Sequence, residues 1–160
     1  MTVRRERLSV GTLSKVSSLS LPSLFAASAL FACAAGFAAT AHATPTRGVS
    51  AVVLSKQTAD GKDYIVSDIT IAPGGSTGWH THQGLIYGIV KSGVLTHYGA
   101  DCRRDGVFRA GTPITDPTGP DHVHIGRNEG ATPLVLEVTY VDPTGAPTSD
   151  STPSPGCDFD

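Results

Sequence analysis

The stretch GGSTGWHTHQGLIYGIVKSG, residues 74–93, carries two histidines one residue apart, His80 and His82, in a run that otherwise has the composition of a β-strand. Successive side chains of a strand point to opposite faces, so residues two apart share a face. The two imidazoles are therefore predicted to point the same way. Imidazole is a common protein ligand for zinc, copper, iron and nickel, which makes this pair a candidate metal site.

A second pair of the same spacing, His122 and His124, follows later in the chain, again in a predicted strand. Of the six histidines of the chain, four lie in these two pairs. If the two strands are neighbours, up to four imidazoles face one point. The alternative is a set of core or surface histidines satisfied by hydrogen bonds.

The spacing around the first pair follows a longer pattern, which can be written G(x)5HxH(x)3-4E(x)6G. Gly74 is its first glycine, His80 and His82 are its histidines, and Gly93 is its closing glycine. The glutamate alone is missing, because Ile86 stands in its place.

A second pattern, G(x)5PxG(x)2H(x)3N, is matched at Gly111, Pro117 and Gly119. His122 has the required distance from Gly119, whereas His124 has the required distance to Asn128. On these two motifs the sequence resembles the cupin superfamily. The segment VHIGRNEG, residues 123–130, favours His124 as the ligand of the second motif.

The resemblance implies an all-β fold, a double-stranded β-helix or jelly-roll barrel with a metal ion inside. Members of the family bind iron, manganese, nickel, copper or zinc, so the implied cofactor is a divalent transition metal. The missing glutamate leaves two ligand sets open. One is His80, His82 and His124, with positions free for water or substrate; the other adds His122 in the place of the glutamate.

Two classes of function remain open. One is a metal-dependent oxygenase or isomerase of a small molecule, which the resemblance favours. The other is a non-catalytic module that binds a metal or a small ligand, which the absence of a nucleophile motif or an evident general base favours. The sequence is compatible with a homodimer.

Two further side chains have open roles in the sequence. His97 is predicted to be a packed or surface histidine rather than a ligand. Glu137 alternates with apolar residues in a predicted strand and is either a replacement carboxylate ligand or a charge that faces solvent.

Residues 1–43 have the pattern of a secretory signal peptide: a basic start, an apolar middle and the small-x-small sequence AHA that ends at Ala43. A membrane anchor and a lipoprotein modified at Cys33 are the alternatives. The whole chain has 12 basic and 14 acidic residues, and loss of the leader would move the net charge from −2 to −5. This charge pattern does not favour nucleic acid or an anionic membrane as a partner, since both bind clustered Lys and Arg.

The remaining chain is predicted to form one barrel domain over residues 44–143 and a tail over 144–160. Its short alternating runs are bounded by Gly and Pro, and Lys91-Ser92-Gly93 has the composition of a hairpin turn. Loss of the leader leaves two cysteines, Cys102 and Cys157, and two cysteines in an exported chain predict one disulfide that tethers the tail.

The leader predicts that the exported protein, secreted or periplasmic, begins at Thr44. N-terminal sequencing of material from the medium or periplasm checks this. Recovery of the protein from membranes with its first residues intact would contradict it.

Overall fold

A computed structural model describes residues 43–160, so the predicted leader lies outside the described residues except for Ala43. This part of the chain forms ten β-strands and no helix, and hence no helix that is long and apolar enough to cross a bilayer. The strands are β1 Arg47–Ala59, β2 Lys62–Ser76, β3 His80–Thr81, β4 Leu85–Ser92, β5 Val94–Gly99, β6 Arg104–Arg109, β7 Pro113–Ile114, β8 His124–Arg127, β9 Leu134–Pro143 and β10 Asp150–Ser151.

The strands form two antiparallel layers. In one layer the order is β1, β2, β9, β4, β7. In the other it is β10, β3, β8, β5, β6. The end of β2 joins the layers, because Ser76 pairs with Arg127 of β8. The result is a nearly closed antiparallel barrel, which confirms the predicted all-β, double-stranded β-helix fold.

The inner face of β2 shows why these residues form a strand. Ile65, Ser67 and Ile71 are buried, whereas Tyr64 on the opposite face is exposed. This two-residue alternation is the one predicted, and it turns the apolar face of the strand towards the barrel. The core that results also draws on β4, β5, β7 and β9. Its buried members are Ile65, Ile71, Ile86, Val90, Leu95, Ile114, Leu134, Leu136, Val138 and Tyr140.

The predicted hairpin at Lys91-Ser92-Gly93 is wrong. β4 pairs with β7 and β9, whereas β5 pairs with β6 and β8, so the two strands belong to different layers. Gly93 has a φ of +78°, and a Cβ at this position would lie 2.8 Å from the Cα of Leu134. The glycine therefore allows a sharp passage between layers against a neighbouring strand. A local turn signal cannot distinguish this passage from a hairpin.

The predicted disulfide between Cys102 and Cys157 is present, with a Cα–Cα distance of 5.5 Å. It holds a tail that packs on the barrel. Phe159 stacks on Trp79 with ring centroids 6.2 Å apart, and Asp160 accepts a hydrogen bond from the Trp79 indole. Strand β10, in the same tail, pairs with β3.

We expect loss of this disulfide to destabilise the barrel. The bridge joins residues separated by 55 positions, and in the chain-entropy model a loop of this length is worth about 4 kcal/mol. A Cys102→Ala, Cys157→Ala variant should show that loss in urea unfolding. Reductant should lower the free energy of unfolding of the wild-type protein and leave that of the variant unchanged. Equal free energies of unfolding for the two proteins under oxidising conditions would contradict the expectation.

Candidate metal centre

A cavity of about 60 Å³ lies inside the barrel between the two layers. Most of its lining is apolar: Ile69, Ile86, Leu95, Ile114, Leu136 and Val138. The polar side chains that reach it are Thr77, His80, His82, His97, Asp116, His124 and Tyr140. Four imidazoles and one carboxylate thus converge in an otherwise apolar space.

Two short strands bring the two histidine motifs together. His80 lies on β3 and pairs directly with His124, the first residue of β8. His82 follows the end of β3, where the chain turns tightly at Gly84; a Cβ on that glycine would overlap the backbone oxygen of Val141. The three rings lie close together, with centroids 4.3 Å apart for His80 and His124 and 4.7 Å apart for His80 and His82.

Each of these three imidazoles places Nδ1 at hydrogen-bond distance from a backbone carbonyl oxygen. The pairs are His80 with Gly78 (2.9 Å), His82 with Thr148 (2.7 Å) and His124 with His122 (3.0 Å). A carbonyl oxygen only accepts, so Nδ1 donates and Nε2 keeps its lone pair. Metal-bound histidines typically have this arrangement, because the second hydrogen bond fixes the tautomer and the ring orientation.

The donor atoms of His80, His82 and His124 all lie within 4.8 Å of one another. The Nε2 atom of His124 is buried and has no hydrogen-bond partner in the described chain. A buried polar atom without a partner is costly unless something else satisfies it. The three lone pairs therefore fit a metal ion of the kind that prefers imidazole.

Burial keeps these imidazoles neutral. It lowers the pKa of His80 to about 3, and the nearby His124 and His82 add to the effect. Burial likewise lowers the pKa of His124 to about 3 and lowers that of His82. Neutral imidazole is the form that binds a metal, so the site has ligands available at neutral pH without prior deprotonation.

A second donor set shares His124 and was missed in the sequence. It consists of His97, Asp116 and His124, whose donor atoms also lie within 4.8 Å of one another. His97 lies on β5 with its side chain buried, which is the packed one of the two roles predicted for it. Asp116 lies in the loop between β7 and β8, next to Pro117 of the second motif. Its position next to Pro117 was the only sign in the sequence that Asp116 lies near the site. A loop has no periodicity from which the direction of a side chain could be predicted.

Two motif positions differ from the simplest expectation. Ile86, at the place of the family's glutamate, is buried and lines the cavity. His122 lies in the loop before β8, with its ring centroid 4.9 Å from that of His124. Within residues 43–160, no set of three converging donors includes His122.

Glu137 does not replace the missing glutamate. It lies on the outer face of β9, where its carboxylate is 3.3 Å from the Lys91 ammonium, and its side chain is 42% exposed. Of the two roles open in the sequence, the solvent-facing charge is the one the structure supports.

Comparison with known proteins extends the description of the fold. No family model matches the chain, and no curated protein matches it. Solved structures do. A conserved protein with a double-stranded β-helix domain from Klebsiella pneumoniae subsp. pneumoniae aligns over 65% of this chain and 84% of its own, with 22% identity and a TM-score of 0.53.

Two other structures give similar values. A cupin-2 domain protein from Rhodospirillum rubrum aligns over 66% of each chain, with 15% identity and a TM-score of 0.53. The polyketide cyclase RemF from Streptomyces resistomycificus aligns over 68% of this chain and 74% of its own, with 20% identity and a TM-score of 0.54. At these identities the likeness shows the fold.

We expect the metal-free protein to lose stability as the pH falls from about 6.5 towards 3. Over this interval the unfolded chain protonates the histidines, whereas the folded chain keeps His80 and His124 neutral. Each contributes up to about 1.4 kcal/mol per pH unit. Urea unfolding at pH 7.5 and pH 5, with chelator present, measures the difference.

A His80→Gln, His124→Gln variant is the control for this expectation. Glutamine does not titrate, so the dependence on pH should become shallower in the variant. Equal stability of the metal-free wild-type protein at the two pH values would contradict the expectation.

Proposed function

We propose that this chain, which has the fold of the cupin superfamily, binds one divalent transition metal inside its barrel and acts with it on a small molecule. This proposal rests mainly on the convergence of one ring nitrogen from each of His80, His82 and His124. Each ring also has Nδ1 at hydrogen-bond distance from a backbone carbonyl, which leaves Nε2 free to bind the ion. Three protein ligands leave coordination positions free, as catalytic metal sites require.

The protein supplies position and environment to such a centre. A metal ion bound there would polarise a substrate oxygen or exchange electrons with it. The apolar lining excludes bulk water and strengthens electrostatic contacts within the cavity. The size of the cavity, about 60 Å³, limits the substrate to a small molecule or to one end of a longer one.

Tyr140 is the residue that we assign to substrate orientation. It lines the cavity, and its ring centroid is 6.1 Å from that of His82. Burial raises the pKa of Tyr140 to about 12, and the charges of Asp142 and Asp116 add to the rise. The hydroxyl therefore stays protonated and can donate a hydrogen bond to a substrate oxygen.

Oxygenase or isomerase chemistry is the proposed class, since both use a metal with open positions on a small substrate. A non-catalytic binding module is the second candidate. It is favoured by the lining, in which Asp116 is the single carboxylate among the described residues that reach the cavity. Few groups are thus available to transfer protons.

The proposed setting is an exported protein, secreted or periplasmic. The predicted leader supports this, and so does the Cys102–Cys157 disulfide, since such bonds persist in oxidising compartments. A homodimer stays a prediction; the exposed side chains of Leu85, Tyr87 and Ile89 on the outer face of β4 would suit one.

Anaerobically purified protein should contain one equivalent of a first-row transition metal by elemental analysis. A His80→Ala, His82→Ala variant should contain none, because it lacks two of the three ligands. Gln83→Ala is the matched control, since Gln83 is the next residue and its exposed amide bonds to Asp150 outside the site. Full occupancy in the double variant would contradict the proposal.

The same preparations separate the two candidate functions. Cobalt-loaded protein should change its visible spectrum when azide is added, because an open position accepts the anion. An unchanged spectrum would indicate a closed site and favour the binding module. Iron as the native metal would favour oxygenase chemistry.

A further inference from the structure

We infer that Asp116 is the fourth ligand of this metal centre and replaces the carboxylate absent at Ile86, and that His97 and Asp105 hold it in position. The inference rests on the proposed function, because it concerns the same metal ion. It assigns the fourth position to a loop carboxylate rather than to His122.

The distances favour Asp116 as a ligand. Its Oδ2 atom lies 3.8 Å from His124 Nε2, and its side chain is 20% exposed. Two ligands that each lie about 2.1 Å from one ion are separated by about 3.0–3.4 Å at octahedral or tetrahedral angles. The separation of Asp116 Oδ2 from His124 Nε2 exceeds this range by less than about 1 Å, and the two residues share the second donor set.

The charge of the site gives a second reason. Three neutral imidazoles leave the two positive charges of the ion uncompensated in an apolar cavity, which is unfavourable. At the family's glutamate position, Ile86 contributes no charge.

A buried histidine lies behind Asp116. The Oδ1 atom of Asp116 lies 3.4 Å from His97 Nε2. The other ring nitrogen of His97 is 2.6 Å from Asp105 Oδ1, and the His97 side chain is 9% exposed. Asp105 lies on β6, the neighbour of β5, so the orientation of His97 is determined by two paired strands. His97 and Asp105 are positioning residues in this assignment.

The competing ligand, His122, has less support. His122 is half-buried, and its Nε2 atom, like that of His124, has no hydrogen-bond partner in the described chain. Its ring packs beside that of His124. In the described part of the chain it belongs to neither of the two converging donor sets.

The test measures the affinity of the exported form of the protein for Zn²⁺ by competition with a chromophoric chelator. Asp116→Asn keeps the shape of the side chain and removes its charge, and we expect it to bind at least about 10-fold more weakly. Asp121→Asn is the matched control, because it makes the same change at an exposed residue of the same loop. This control and His122→Gln should both stay within about twofold of wild type.

A double-mutant cycle tests the positioning role. His97→Gln alone should weaken binding by about 10-fold. If His97 acts through Asp116, the same change should have no further effect in the Asp116→Asn background. Additive losses would overturn the positioning role. The visible spectrum of the Co²⁺ form is a second readout, and it should change in Asp116→Asn because the ligand set changes.

Unchanged affinity and spectrum in Asp116→Asn, together with a loss in His122→Gln, would overturn the assignment and leave the proposed function standing. Failure of the wild-type protein to bind Zn²⁺ or Co²⁺ would overturn both. Urea unfolding of the metal-free variants identifies any that are misfolded. If Asp116→Asn is misfolded, Asp116→Glu and Asp116→Ala are compared instead. Asp116→Glu keeps the carboxylate and should bind Zn²⁺ more tightly than Asp116→Ala. Equal affinities of these two variants would overturn the assignment.

Discussion

The antiparallel pairing of His80 with His124 is the contact on which the rest of the site depends. It is the one register that joins β3 to β8, and it places the first histidine motif beside the second. β3 has only two residues, so it has little stability of its own. Its other edge is completed by β10, which comes from the tail. The candidate metal centre therefore requires three short segments that are far apart in the chain.

The tail therefore contributes directly to the candidate site. Thr148 accepts the hydrogen bond that fixes the tautomer of His82. Further along, Trp79 is buried next to His80 and packs against Phe159, and the Cys102–Cys157 disulfide keeps that end of the tail on the barrel. Covalent and aromatic contacts outside the cavity thus hold the tail whose Thr148 carbonyl bonds to His82. This arrangement suits a site whose ligands must stay neutral and correctly turned in an apolar environment.

Much of the fold could be predicted from local patterns, and the failures have a common cause. The alternation of Ile65, Ser67, Ile69 and Ile71 predicted that these side chains share one face of β2, and the cysteine count predicted the disulfide. The hairpin expected at Lys91-Ser92-Gly93 is instead a passage between layers, because Gly93 permits either geometry and the partners of β4 and β5 lie elsewhere in the chain. His97 is packed, as one of its two predicted roles had it, but its contacts with Asp105 and Asp116 were not predicted, since a single histidine in a strand gives no sign of its partners.

The sequence by itself determined which metal-binding residue types are present and how they are spaced along the chain. Strand periodicity and spacing are local properties, so the His80 and His82 pair and the second-motif histidines could be recognised without a structure. Only the tertiary structure decided which donors meet: it aligned His80 with His124, left His122 in a loop, and brought His97 and Asp116 to the cavity. Strand register and loop direction depend on contacts between distant segments, and no local pattern in the chain encodes the direction of a loop carboxylate such as Asp116.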